Sequence, residues 1–133
     1  MAGRAFIDTN IAVYLLADDA AKARRAESLL AARPCISTQV ANEFINVCTR
    51  KLKLDRAAVH AAARSLMAHC EVLPVSARTV DAAMRLCERY GFSHWDSLIV
   101  AAAQLAGCDT LYSEDMQHGQ QLDGLLRIQN PFL

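Results

Sequence analysis

The sequence predicts an α/β domain in which a central parallel sheet of about four to five strands is flanked by helices. Short apolar runs of strand length alternate with longer segments of helical periodicity, a pattern typical of parallel strands joined by helices. No Gly/Ser-rich linker, internal repeat or low-complexity tract interrupts it. With 133 residues, 53% of them apolar, residues 1–133 have the size and core content of one domain.

The first half of the chain is marked out by one apolar run, a proline and several capping residues. Ala5-Phe6-Ile7 has the composition of a buried strand, and Pro34 ends a helix because proline cannot continue one. Ser37 or Thr38 suits the start of the next helix, and Asp55 suits the start of the one after it. In chain order we predict a strand at 4–8, helices at 11–17 and 20–32, a strand at 35–37, and helices at 38–52 and 56–69.

The second half carries equally clear start and stop signals. Ser76 and Ser93 suit helix N-caps, and Gly91 and Gly107 suit the residues that end those helices. Pro131 follows the last apolar run. In chain order we predict a strand at 71–75, helices at 77–90 and 94–106, and strands at 110–113 and 126–129.

Four carboxylates occupy places that would bring them together in such a fold. Asp8 ends the first strand, and Asp115 follows the strand at 110–113. Glu43 borders the apolar stripe of one helix, and Asp96 lies in the first turn of another. Ligands of open parallel sheets bind beyond the carboxyl ends of the strands, so Asp109, at the opposite end of its strand, is excluded. A group of carboxylates repels itself unless a cation fills it.

Each of these acids also has a purely structural interpretation. Asp8 lies where a helix N-cap forms, and Asp96 follows Ser93 at the spacing of a capping box with Asp in place of Glu. Glu43 could pair with a basic side chain or reach water. We expect Asn10 to provide the first cap, which leaves Asp8 pointing outward from the strand end. Beside the fourth acid, Glu114 is a competing ligand, and the sequence leaves that choice open.

The histidines and aromatic residues near the acids carry a weaker signal. His94 and His118 lack a metal-ligand spacing such as H-x-x-x-H, so we expect exposed polar roles for both. Trp95 and Tyr14 could stack on nucleobases, but packing in the core or in an interface is the expectation for both.

Charge and cysteine content exclude several classes of protein. Lys+Arg and Asp+Glu number 14 each, so a strongly basic surface for non-specific nucleic-acid binding is absent. The five cysteines are odd in number and form no C-x-x-C pair, which argues against a zinc site or a disulfide framework. Without a signal-peptide pattern or a membrane-length apolar run, the chain is expected in the cytoplasm.

The acids lie in four segments whose order and spacing are more specific than any one of them. The segments are Phe6-Ile7-Asp8-Thr9-Asn10, Asn42-Glu43-Phe44, the run from Ser93 to Ala103, and Leu111 to Met116. Together they resemble the motifs of the PIN domain, specifically of the VapC-type toxin ribonucleases. The chain departs from that pattern in the His-Trp pair before Asp96 and in Glu114 beside the fourth acid.

The resemblance implies a function as well as a fold. It implies a ribonuclease that depends on Mg²⁺ or Mn²⁺, hydrolyses RNA through an activated water, and holds the metal with Asp8, Glu43, Asp96 and Asp115. It also implies a toxin that forms a homodimer and is inhibited by a VapB-type antitoxin. Thr9 and Ser113 are placed to orient carboxylates.

Two other functions stay open on the sequence. A phosphatase of the haloacid dehalogenase type also begins with an Asp at a strand end, but it would want a second Asp where this chain has Asn10. A non-catalytic partner-binding module with the PIN fold is the other alternative, against which the presence of all four acids speaks.

Overall fold

A single mixed sheet of six strands forms the centre of the fold. The computed structural model describes residues 3–133. Its strands are β1 (Ala5–Ile7), β2 (Cys35–Ser37), β3 (Glu71–Leu73), β4 (Thr110–Tyr112), β5 (Gln121–Leu122) and β6 (Leu126–Gln129). The strand order is β3-β2-β1-β4-β6-β5, and every pair is parallel except β5 with β6. The five predicted strands are confirmed; β5 was not predicted because two residues are too few to show an alternating pattern.

Within residues 3–133, six helices flank the sheet, and most begin and end where the sequence predicts. They are α1 (Thr9–Val13), α2 (Ala20–Ala31), α3 (Thr38–Arg50), α4 (Arg56–His69), α5 (Ala77–Tyr90) and α6 (His94–Leu105). Ser37, Asp55, Ser76 and Ser93 are the N-caps of α3 to α6, each accepting a backbone N–H in the first turn. Gly91 ends α5 in the left-handed region with φ 76°. No helix within residues 3–133 is long and apolar enough to cross a membrane.

The first helix differs from the prediction in both position and cap. We expected it at 11–17 with Asn10 as its cap, but α1 spans Thr9–Val13 and Asp8 is the N-cap. The Asp8 carboxylate accepts a hydrogen bond from the Thr9 backbone N–H at 2.7 Å. The strand ends at Ile7, so Asp8 is the first residue that can satisfy the free N–H groups of the helix. Asn10 therefore lies inside α1 and is not its N-cap.

The core fixes the elements that carry the acids. β1 lies between β2 and β4, with Phe6 in register with Cys35 on one side and Leu111 on the other. All residues from Ser97 to Ala103 of α6 are buried, and α6 contacts both β2 and β4. The first turn of α6 is thus held against the sheet by the burial of the turns that follow it. Four of the five cysteines are buried, as their apolar positions predict.

Candidate active site

The four predicted acids line one open cleft of about 590 Å³, called here the acidic cleft. Asp8 joins β1 to α1, Glu43 lies on α3, Asp96 lies on α6, and Asp115 follows β4. Four segments that are distant in sequence therefore supply these acids, and Glu114, the neighbour of Asp115, also lines the cleft. Asp109 lies at the opposite end of β4, is exposed and does not line this cleft. Its backbone N–H donates to the carbonyl of Arg4 there.

Asp8 is the most enclosed of the four acids, and its carboxylate is fully engaged. The residue is 6% exposed. Besides the Thr9 N–H, its carboxylate accepts from the Ser113 hydroxyl at 2.9 Å and from the Asn10 side-chain amide at 3.3 Å. The Ser113 hydroxyl in turn accepts from the Met116 backbone N–H at 3.3 Å. The hydrogen bond from Ser113 to Asp8 confirms the prediction that Ser113 orients a carboxylate.

Burial raises the pKa of Asp8 from its usual 3.8 to about 6. The hydrogen bonds from Ser113 and Thr9 favour the charged form and offset part of the rise in this pKa. The charges of Asp96 and Glu43 act in the opposite direction and raise it further. Negative charges on two other segments therefore contribute to the raised pKa of Asp8.

Glu43 is half-buried at the edge of the apolar face of α3, as its spacing predicts. The Thr9 hydroxyl donates to its Oε1 atom at 2.7 Å, so the predicted orienting role of Thr9 is also confirmed. Thr9 thereby contacts two acids, since its backbone N–H binds Asp8 and its hydroxyl binds Glu43. Within residues 3–133 no Lys, Arg or His forms an ion pair with Glu43.

Asp96 is half-buried in the first turn of α6, where Ser93 serves as the N-cap. The Asp96 backbone N–H donates to the Ser93 hydroxyl at 3.1 Å. Burial raises the pKa of the Asp96 carboxyl, the charge of Asp115 raises it further, and the Ser93 hydroxyl offsets part of the rise. Asp96 therefore lines the acidic cleft although it lies in the first turn of a helix that Ser93 caps.

The structure separates the two candidate acids after β4. The Glu114 carboxylate accepts from the Tyr14 hydroxyl at 2.5 Å and pairs with the Lys22 ammonium group. Burial alone would raise the pKa of Glu114, but the hydrogen bonds from Lys22 and Tyr14 outweigh it and hold the pKa below its usual value. Asp115 is exposed, and it accepts from the Asn10 amide at 3.0 Å. Glu114 is thus balanced by Lys22, whereas within residues 3–133 no Lys, Arg or His forms an ion pair with Asp115.

Three residues of this site have roles that the sequence interpretation missed. Asn10 links Asp8 to Asp115 through its amide N–H groups, and its Oδ1 accepts from the Glu114 backbone N–H at 3.1 Å. Lys22 pairs with Glu114, which is 92 positions away, so no local sequence pattern predicts this ion pair. Lys51 brings a positive charge to the lining of the acidic cleft. The only signal for Asn10 was its place two residues after Asp8.

The donor set of the acidic cleft suits a hard divalent cation. All four acids offer oxygen atoms, which Mg²⁺ and Mn²⁺ prefer to nitrogen or sulfur. Within residues 3–133 no three His, Cys, Asp or Glu side chains are gathered closely enough to hold an ion by themselves. Mg²⁺ commonly binds one or two carboxylates and keeps several waters, so this spacing fits it. Burial raises the pKa of Asp8, the charges of Asp96 and Glu43 raise it further, and a bound cation would lower it by favouring the charged carboxylate.

The aromatic residues and histidines around the cleft differ in how far they match expectation. Trp95 is 62% exposed, which contradicts core packing; it is the second residue of α6, before the buried stripe that begins at Ser97. Tyr14 is half-buried, with its ring edge-on to Phe132. His94 and His118 are exposed, as expected.

Comparison with known proteins agrees with this architecture. A family model described as the PIN domain matches residues 5–120. VapC20 of Mycobacterium tuberculosis, described as a sarcin-ricin loop cleaving toxin, is 27% identical with a TM-score of 0.68, over 84% of this chain and 89% of that chain. VapBC of Salmonella typhimurium, solved bound to DNA, is 18% identical with a TM-score of 0.72, over 98% of this chain and 99% of that chain. A toxin–antitoxin complex from Klebsiella pneumoniae is 21% identical with a TM-score of 0.71, over 96% and 97% of the two chains. No curated protein matched the chain. The family match, the mostly parallel sheet and the shared fold together show that the chain belongs to the PIN domain family.

Proposed function

We propose that this chain is a metal-dependent ribonuclease and the toxin of a VapBC-type toxin–antitoxin pair. The observation that carries the proposal is the meeting of Asp8, Glu43, Asp96 and Asp115 in one cleft, each from a different segment. The likeness to VapC20, a sarcin-ricin loop cleaving toxin by its description, supports it at 27% identity over 84% of the chain.

The chain's own residues would bind the cation and orient its ligands. Mg²⁺ or Mn²⁺, when bound, supplies positive charge for the phosphodiester and acidifies a water. Thr9, Ser113 and Asn10 fix the directions of the carboxylates before any ligand arrives. Ser113 is buried and its hydroxyl is engaged with Asp8, so it is not placed to act as a nucleophile. Lys51 lies where it would attract an RNA phosphate at the cleft.

The two alternative functions are weakened to different degrees. Membership of the PIN domain family leaves the haloacid dehalogenase-type phosphatase without support, and Asn10 is bound to two carboxylates rather than acting as an acid. A partner-binding module without catalysis would need no buried carboxylate with a raised pKa, and Asp8 is one. RNA cleavage that chelation abolishes separates the nuclease from both, whereas an acid-stable phosphoenzyme would support the phosphatase.

The nuclease proposal predicts RNA cleavage that requires a divalent cation. Purified protein incubated with structured and unstructured RNAs should cleave in Mg²⁺ or Mn²⁺ and stop in excess EDTA, because the carboxylates alone repel the phosphodiester. Returning the metal to the chelated sample should restore cleavage, which shows that the protein survived. Cleavage that proceeds equally in EDTA would contradict the metal mechanism.

A partner-binding surface lies beside the acidic cleft. The residues that follow α1 face two different cavities. Tyr14 and Ala17 line the acidic cleft. Leu15 and Leu16 line a neighbouring apolar groove of about 180 Å³. Ile11 of α1 and Leu29 of α2 belong to the core. The apolar and aromatic residues near them that stay half-buried include Tyr14, Leu15, Leu16 and Leu30. We infer that an antitoxin helix lies in this groove and that a basic side chain following it enters the acidic cleft.

Co-expression with the product of the adjacent upstream gene should yield a stable complex in which RNA cleavage is suppressed. Leu16→Gln should weaken that complex, whereas Leu125→Gln, on the exposed turn between β5 and β6, should not. Light scattering on the complex and on the free protein also tests the expected homodimer. A protein that is harmless to its host when expressed alone, yet active on RNA in vitro, would contradict the toxin proposal and leave the nuclease proposal standing.

A further inference from the structure

Trp95 is the single tryptophan of the chain, and it stands exposed beside an acid of the proposed active site. The residue is 62% exposed although it directly precedes Asp96. Leaving a large aromatic side chain in water forgoes much of the stabilisation that its burial would provide. An indole in this position is suited to a ligand that reaches the acidic cleft.

Trp95 forms one wall of a second cavity that adjoins the acidic cleft. This cavity, the Trp95 pocket, has a volume of about 290 Å³. Glu43 lines both the Trp95 pocket and the acidic cleft, so the two lie side by side. The other lining residues that matter here are the apolar Val75 and Leu98 and the amides Gln39 and Asn42.

The chain holds the Trp95 pocket in place from two helices. The Gln39 side-chain amide on α3 donates to the Trp95 backbone carbonyl on α6 at 3.1 Å. The His94 ring stands edge-on to the indole, with their ring centroids 5.2 Å apart. Because the tie from Gln39 reaches the backbone, the indole can be truncated while the start of α6, including Asp96, stays anchored.

We propose that the Trp95 pocket receives an unpaired nucleobase of the substrate RNA, next to the phosphate that is cleaved. This inference rests on the proposed ribonuclease function. An aromatic face stacks on any base, and the exposed side-chain amide of Asn42 can donate to and accept from a base edge. With a net charge of zero, the chain gains little from bulk attraction to phosphates, so stacking must supply much of the affinity. The substrate is therefore RNA that is single-stranded at the cleaved site.

The single tryptophan gives a direct readout of this contact. In the cleavage-impaired Asp8→Asn background, titration with a short single-stranded RNA should quench the tryptophan emission. The midpoint should coincide with binding measured by the anisotropy of a labelled RNA. In that anisotropy assay, Trp95→Ala should weaken RNA binding on the order of tenfold, whereas Trp95→Phe, which keeps an aromatic face, should largely retain it. Leu125→Ala, which removes another exposed apolar side chain, should leave RNA binding unchanged.

A scan with abasic RNAs then locates the base. One abasic position, adjacent to the cleaved bond, should lose both the quench and the affinity, and in the wild-type protein it should slow cleavage. The inference is overturned if RNA binds and is cleaved with no change in emission and no effect of Trp95→Ala. It is overturned equally if the emission responds only to protein dilution or to a protein partner. Failure of the ribonuclease proposal shows separately, as absence of cleavage by the wild-type protein in Mg²⁺ and Mn²⁺.

Discussion

Asp8→Asn, Glu43→Gln and Asp96→Asn should each lower the rate of RNA cleavage by at least about a hundredfold. Each change keeps the shape of the side chain and removes the charge that holds the cation, and ligands of one ion act as a unit. The measurement is the single-turnover rate constant in saturating Mg²⁺, with circular dichroism to show that each variant is folded. Asp115→Asn should cause a smaller loss because Asp115 is exposed.

Asp109→Asn is the matched control for these three variants. It removes the same charge from the other end of the same sheet, where the structure places no part of the acidic cleft. Its rate constant should equal that of the wild-type protein. If Asp109→Asn is as harmful as Asp8→Asn, the site does not lie at the carboxyl ends of the strands. Glu114→Gln should affect the rate less than Glu43→Gln, since Glu114 is already paired with Lys22.

In the absence of metal, Asp8→Asn should stabilise the protein, and by an amount that grows with pH. The folded state raises the pKa of Asp8 from 3.8 to about 6, so it binds this proton more tightly than the unfolded chain does. The stabilisation that this tighter proton binding gives the folded state is fully present below pH 3.8 and is lost as the pH rises through about 6. That difference in pKa corresponds to about 3 kcal/mol.

The difference in the free energy of unfolding between Asp8→Asn and wild type isolates this effect from other titrating groups. Near pH 4 the wild-type carboxyl is mostly protonated and resembles the amide, so the two proteins should be about equally stable. By pH 8 the variant should be more stable by up to about 3 kcal/mol in urea denaturation with EDTA present. A pH-independent difference for Asp8→Asn would contradict the buried-carboxylate account.

Local rules predicted those parts of the fold that local chemistry determines. Capping residues such as Ser76 and Ser93 act within one helical turn, so their roles can be predicted from the neighbouring residues. The buried strands are apolar throughout, which is why five of them were found. Asp8 and Asp115 were predicted as site residues because they follow apolar strands, and Glu43 and Asp96 because they lie on helices beside apolar residues.

Contacts between distant segments explain the failures. Whether Asp8 or Asn10 caps α1 depends on where β1 ends, and the pairing of β1 with β4 sets that point. The choice between Glu114 and Asp115 depends on Lys22, which reaches Glu114 only because α2 packs near the end of β4. Trp95 is exposed because it lies in the first turn of α6, before the residues from Ser97 to Ala103 that are buried on every face of the helix. The sequence of a largely apolar helix does not reveal where its burial begins.

We propose that the acidic cleft is a carboxylate site that a divalent cation completes. The most direct test is the stability of the wild-type protein, Asp8→Asn and Asp109→Asn in thermal unfolding at pH 8, titrated with Mg²⁺ and with Mn²⁺. Wild type and Asp109→Asn should be stabilised as the ion is added, by about 2.7 kcal/mol at a hundredfold excess over Kd, whereas Asp8→Asn should respond little. A wild-type protein whose unfolding is insensitive to both ions, or an Asp8→Asn variant that responds as wild type does, would contradict the claim.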